Sequence, residues 1–234
     1  MSDTGPRLLV ALDYQNTEQC LNLVQQLNPA DCRLKIGKEL FTAVGPSIVE
    51  SVQKLGFDVF LDLKFHDIPN TVAGAVSSAA GLGVWMTNVH ALGGERMMVA
   101  AREALAAFQQ KPLLIAVTVL TSMDASDLAG IGIQEQPEQV VTRLASLAKQ
   151  SGMDGIVCSA VEAAQMKSIQ GAEFLTITPG IRPASAAQGD QRRVVTPEQA
   201  MQNGSDYIVV GRPITQAENP AEACAAIAAS IQGL

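Results

Sequence analysis

The chain has 234 residues, enough for one large domain or two small ones. Hydrophobic residues make up 47% of it but aromatics only 4%, so the core must be packed mostly from Val, Leu, Ile and Ala. The formal net charge of −7 argues against a general nucleic-acid or anionic-membrane surface, although one local basic pocket can still hold a small anion.

The first segment, MSDTGPRLLVALD, lacks a basic region, and its apolar run stops at Asp13. It fits neither a signal peptide nor a membrane span, so a soluble cytoplasmic protein is expected. Short aliphatic runs then recur along the chain: 8–13, 32–36, 58–64, 85–90, 113–120, 155–160, 174–178 and 206–211. Helix-like segments lie between them. In NTEQCLNLVQQL, Cys20, Leu23, Val24 and Leu27 share one face, and Asn16 and Gln19 have capping-box spacing. Over 136–152, Val140, Val141, Leu144, Leu147 and Ala148 fall in helical register. Thr196 is placed as an N-cap before Pro197, with Gly204 past the helix end, and Asn219, Pro220 and Glu222 repeat that start.

Eight strands alternating with helices predict parallel pairing and covered sheet faces. Count and length favour an α/β fold with a single domain over 1–234, a closed (β/α)8 TIM barrel. An open doubly wound sheet is the competitor, weakened because no GxGxxG follows the first strand. Residues 121–136 read as an extended loop after the fifth strand, and 180–193 as a second loop after the seventh. Both belong at the C-terminal mouth, where barrel active sites form. Cys20, Cys32, Cys158 and Cys224 are scattered and only two histidines exist, so buried free thiols and no metal site are expected.

The third run, FDVFLDLK, alternates an apolar face (Val59, Leu61, Leu63) with one that starts at Phe60 and ends in Asp62 and Lys64. Charges facing inward at a strand's C-terminal end belong at a barrel mouth, although an isolated Asp-x-Lys also fits a solvated salt bridge. Other strands end the same way. Asp13 closes the first and Lys35 the second. Asn88 and His90 alternate to one side of the fourth, and the fifth ends at Thr121 and Ser122. Singly each reads as structural. Together they make a polar, charged site with Lys35, Asp62 and Lys64 close together. The seventh strand is followed by Arg182 and Gln191, and the eighth by Gly211, Arg212 and Pro213. In a barrel these last two loops commonly bind phosphate, whereas GRP alone equally fits a tight turn.

DLKFHDIPNT (62–71) resembles the signature of the orotidine 5′-monophosphate decarboxylase family, bacterial type. The likeness runs through VALD, LKIGKELF, LTSM, TPGIRP with GDQRR, and VVGRPIT, so it covers nearly the whole chain. It implies decarboxylation of orotidine 5′-monophosphate to UMP and CO2, the last step of de novo pyrimidine nucleotide synthesis, with no cofactor and no metal. It further implies that Lys64 protonates C6 within a tetrad of Lys35, Asp62, Lys64 and Asp67. In a homodimer, Asp67 and Thr71 would reach the neighbouring site. Asp13 and Lys35 would contact ribose, Thr121 and Ser122 the pyrimidine, and Gln191, Gly211 and Arg212 the phosphate, with Arg182 at the base of a closing loop. Two rivals stay open. One is a metal-dependent sugar-phosphate barrel enzyme such as hexulose-phosphate synthase. The other is a catalytically silent nucleotide binder.

Overall fold

Every aliphatic run of the sequence is a strand in the computed structural model, which describes residues 5–183 and 195–234. The strands are β1 (Leu8–Leu12), β2 (Arg33–Gly37), β3 (Val59–Phe65), β4 (Met86–His90), β5 (Leu113–Val117), β6 (Gly155–Val157), β7 (Leu175–Thr178) and β8 (Tyr207–Val210). Each pairs in parallel with the next, and β8 pairs back onto β1. That last pairing closes the barrel and rules out the open sheet. β1 and β2 are buried throughout, because a parallel barrel covers both faces of each strand.

The helices are α1 (Thr17–Val24), α2 (Lys38–Val44), α3 (Ser47–Gln53), α4 (Pro69–Gly81), α5 (Glu95–Ala104), α6 (Ala125–Gly130), α7 (Pro137–Gln150), α8 (Ala163–Gln170), α9 (Pro197–Gln202), α10 (Arg212–Thr215) and α11 (Pro220–Ser230). Three of the starts follow the cap chemistry expected from sequence. Asn16, Thr196 and Asn219 each accept a hydrogen bond from the backbone N–H three residues on, that of Gln19, Gln199 and Glu222. Val140, Val141, Leu144 and Ala148 are buried on the inner side of α7, with Leu147 partly covered.

Two expectations need correction. Residues 121–136 are not one extended loop, because α6 lies within them. Asp124 caps it by accepting from the N–H groups of Ser126 (2.9 Å) and Asp127 (3.3 Å), and Asp127 accepts in return from the Asp124 N–H (2.9 Å). The helix is six residues long and buries only Leu128, too little periodicity to read from sequence. β5 also stops before Thr121 and Ser122. Its register with β6 ends at Val117, and the Thr118 hydroxyl then donates to the Val157 carbonyl.

Alternation sorts the core into an outer layer and a barrel interior. Leu8, Val10 and Leu12 point outward to the helices, whereas Leu9, Ala11, Phe60, Met86, Ile115, Ile177, Tyr207 and Val209 fill the interior. The N-terminal floor is sealed by Arg33, whose guanidinium lies 4.0 Å from the Trp85 ring centroid while Nε pairs with Asp58 Oδ2 at 3.0 Å. Such a sealed floor serves stability and leaves the opposite end open for chemistry. All four cysteines are buried and free.

Candidate active site

Lys35 stands in register between Ala11 and Phe60, both interior residues, so its side chain enters the barrel above their layer. One step further along, Gly37 is level with Asp62. Lys35 Nζ lies 3.3 Å from Asp62 Oδ2 and 3.8 Å from Asp13 Oδ1. Lys64 Nζ lies 2.6 Å from Asp62 Oδ1. A nearly buried carboxylate is thus gripped by two ammoniums, one on each oxygen.

β3 is irregular at this point. Leu61 pairs with Thr87 but Phe65 with Val89, so β3 takes four steps where β4 takes two. Asp62 and Lys64 sit inside this bulge, and bulges re-aim side chains next to active sites. Lys64 has φ +52°, the left-handed region, and is the one non-glycine residue there among those described. Its N–H donates to Asn88 Oδ1 (2.8 Å), and Asn88 Nδ2 donates to Asp62 Oδ1 (2.7 Å).

Burial alone pushes the Asp62 carboxyl up, but the Lys35 and Lys64 charges and the hydrogen bonds from Lys64 and Asn88 outweigh it, so its pKa falls below the ordinary value. Asp62 is therefore ionised at neutral pH. His90, at the end of β4, is pushed down to about 4, first by burial and then by the charges of His66, Lys38 and Lys64. Its Nδ1 is buried and has no hydrogen-bond partner among the described residues.

Two adjoining cavities open on this array. One, of about 200 Å³, is walled by Phe60, Val117, Val119, Leu120, Val157 and Ile177, with Lys64, Thr121 and Ser122 on it. The other, of about 430 Å³, runs past Asp13 to Arg182, Gly211 and Arg212. Lys35 and Asp62 line both. Burial and then the neighbouring Arg212 charge lower the Arg182 pKa, so two like charges face each other there. Gly211 is the N-cap of α10. Among the described residues no group of three or more His, Cys, Asp or Glu side chains is arranged to hold a metal ion.

Comparisons with known proteins identify the family and support the fold. A family model described as orotidine 5′-phosphate decarboxylase / HUMPS family matches residues 6–227. The chain belongs to this family. A protein of Teredinibacter turnerae named orotidine 5′-phosphate decarboxylase is 75% identical over 232 residues, 99% of this chain and 100% of that one. The crystal structure of orotidine 5′-phosphate decarboxylase from Lactobacillus acidophilus superposes with a TM-score of 0.87 at 40% identity, covering 98% of this chain and 100% of that chain. The enzyme from Methanocaldococcus jannaschii complexed with the inhibitor BMP gives 0.77 at 25% identity, over 97% and 99% of the two chains.

Within this decarboxylase family member, the single chain brings together Lys35 and Asp62 where the two cavities meet, with Lys64, Thr121 and Ser122 on the first and Asp13, Arg182, Gly211 and Arg212 on the second. Asp67 and Thr71 are not brought to either. Both are exposed, Asp67 accepting from the Ile68 N–H and Thr71 in the first turn of α4, beside an Ile68 that is 67% exposed. Gln191 lies outside the described residues. Asn88 is the residue that the sequence marked only as one of several polar groups at strand ends. Its alternation with His90 was the available signal, but the bulge that makes it bridge Asp62 and Lys64 leaves no mark in spacing.

Proposed function

We propose that this chain decarboxylates orotidine 5′-monophosphate to UMP and CO2 without a cofactor, closing pyrimidine nucleotide synthesis in the cytoplasm. The observation that carries the reading is the Lys35–Asp62–Lys64 array on the edge of an apolar cavity. The bond from C6 to the carboxylate breaks, its electron pair stays on C6, and CO2 leaves. That pair lies in the ring plane, where the pyrimidine cannot delocalise it well. The Lys64 ammonium stabilises it in a water-poor site and then gives C6 a proton. Lys64 regains its proton from solvent. Asp62 faces the substrate carboxylate, a like-charge contact relieved as CO2 departs.

The remaining roles follow the cavity's two lobes. Thr121 and Ser122 address the pyrimidine, Asp13 and Lys35 the ribose, and Gln191, Gly211 and Arg212 the phosphate, with Arg182 beside them. A homodimer completes the tetrad through Asp67 of the partner subunit, with Thr71 of the partner subunit beside it. Their exposure next to the protruding Ile68 supports that arrangement. The test is loss of the orotate ultraviolet band on mixing protein with orotidine 5′-monophosphate, with and without EDTA. Rapid, EDTA-insensitive loss that drops by at least about 10²-fold in Lys64→Ala is expected. A folded protein that leaves the band intact sinks the reading. Turnover of pentulose or hexulose phosphates with magnesium would replace it with the metal-dependent branch.

A further inference from the structure

The bulge in β3 leaves a gap in the ladder to β4, and one side chain spans it. Asn88 lies between Thr87 and Val89, the two residues that pair with Leu61 and Phe65 across the bulge. It is completely buried. Its amide oxygen takes the Lys64 N–H and its amide nitrogen donates to Asp62 Oδ1, which also receives Lys64 Nζ. Both amide atoms have complementary partners, since a backbone N–H only donates and an ionised carboxylate only accepts. The Asn88 side chain thus replaces a missing ladder bond at the residue whose backbone is in the left-handed region. A left-handed non-glycine residue persists only where its surroundings over-determine it. Here two strands and one amide do so.

We propose that Asn88 is a positioning residue for the decarboxylation: it holds the Lys64 backbone in its left-handed conformation and orients the Asp62 carboxylate, fixing the distance between ammonium and reacting carbon. This rests on the reading of Lys64 and Asp62 as the reacting pair. No smaller or purely apolar side chain makes both bonds, and aspartate, the same size, lacks the donor. The charged and titratable groups around Asn88 are Asp62 and Lys64 from β3, Lys35 from β2 through Asp62, and His90 on its own strand. β5 presents Ile115 as its register partner.

The test uses the full chain, with orotidine 5′-monophosphate as substrate and UMP as the binding probe. In Asn88→Ala, kcat falls about 10²-fold, the scale that a misplacement of roughly 1 Å produces, while the UMP dissociation constant moves less than about threefold. UMP lacks the reacting carboxylate and, on the proposed function, is held mainly at the phosphate and ribose. Asn88→Asp keeps the volume and the acceptor but sets a second carboxylate against Asp62. Its kcat is low at neutral pH and climbs, relative to wild type at each pH, as acid protonates the introduced carboxyl and restores a donor. A purely structural role gives no such pH-dependent rescue. Should Asn88→Ala fail to fold, the isosteric variant decides alone. A kcat within about threefold of wild type in either folded variant overturns the proposal. So does an equal loss of kcat and UMP affinity, or an Asn88→Asp ratio flat in pH. Lys64→Ala separates the two claims. If it stays active, the reading of the site fails and this inference with it. If it is inactive while the Asn88 variants remain fast, only the inference fails.

Discussion

A single carboxylate sets the character of the site. Asp62 has one oxygen on Lys35 and the other on Lys64 and Asn88, so its charge is fixed in place before any ligand arrives. Fixed charges in a site with an apolar wall act without reorganising at the moment of reaction, which is what makes them effective. The proposed phosphate end relies on a different residue type. Arg212 offers paired donors in a planar fork, and its charge faces that of Arg182 across the second cavity. On the proposed function the substrate phosphate is held beside Arg212. Arg212→Ala therefore lowers kcat/KM by about 10- to 10²-fold, the worth of one charge-assisted hydrogen-bond pair. Steady-state kinetics measure this directly, and an unchanged kcat/KM would remove Arg212 from the phosphate site.

At the scale of elements, the eight strands were legible because each is a short apolar run bounded by polar residues, and burial on both faces demands that composition. The alternation in β3 also told which side Asp62 and Lys64 would face. α6 was not legible, since one buried Leu128 gives no period. Nor was the bulge, because the register between two strands is set by tertiary pairing that no local pattern encodes. Asp67 and Thr71 could be named only by resemblance, for their own chain leaves them exposed. Close strand contact is a further property hidden from sequence. Gly155 begins β6 level with Leu175 of β7, and a Cβ there would run into the Leu175 carbonyl and side chain. Gly155→Ala must push the two strands apart. A loss of about 1–3 kcal/mol is expected in urea unfolding, the usual cost of overpacking. A variant as stable as wild type would mean that β6 and β7 can separate freely, which a closed barrel does not allow.

Across the whole molecule, the mouth concentrates groups whose ionisation differs between the folded and unfolded chain, and this gives the protein a defined acid limit. His90 in the fold titrates at about 4 because burial and the nearby cationic groups disfavour its charged form. In the unfolded chain it returns to about 6.5. Between those values the unfolded state binds the proton and the folded state does not, so stability falls as pH falls. The His90 contribution is complete above about pH 6.5 and gone below about 4. Asp62 has the same sign in a lower window. Its folded pKa is depressed, so its contribution is present above the ordinary carboxylate value and is lost as acid reaches the folded one. The His90 ring is only partly enclosed, so solvent screening reduces its share to the order of 1 kcal/mol between about pH 7 and pH 5. Urea unfolding at those two pH values measures that share. His90→Gln, which cannot titrate, should remove it and leave intact the loss in stronger acid, where Asp62 protonates. Were the variant as sensitive as wild type between pH 7 and 5, the first stage of acid lability would belong to another group. The His90 Nδ1, which has no hydrogen-bond partner among the described residues, would then have no bearing on how the mouth stays folded.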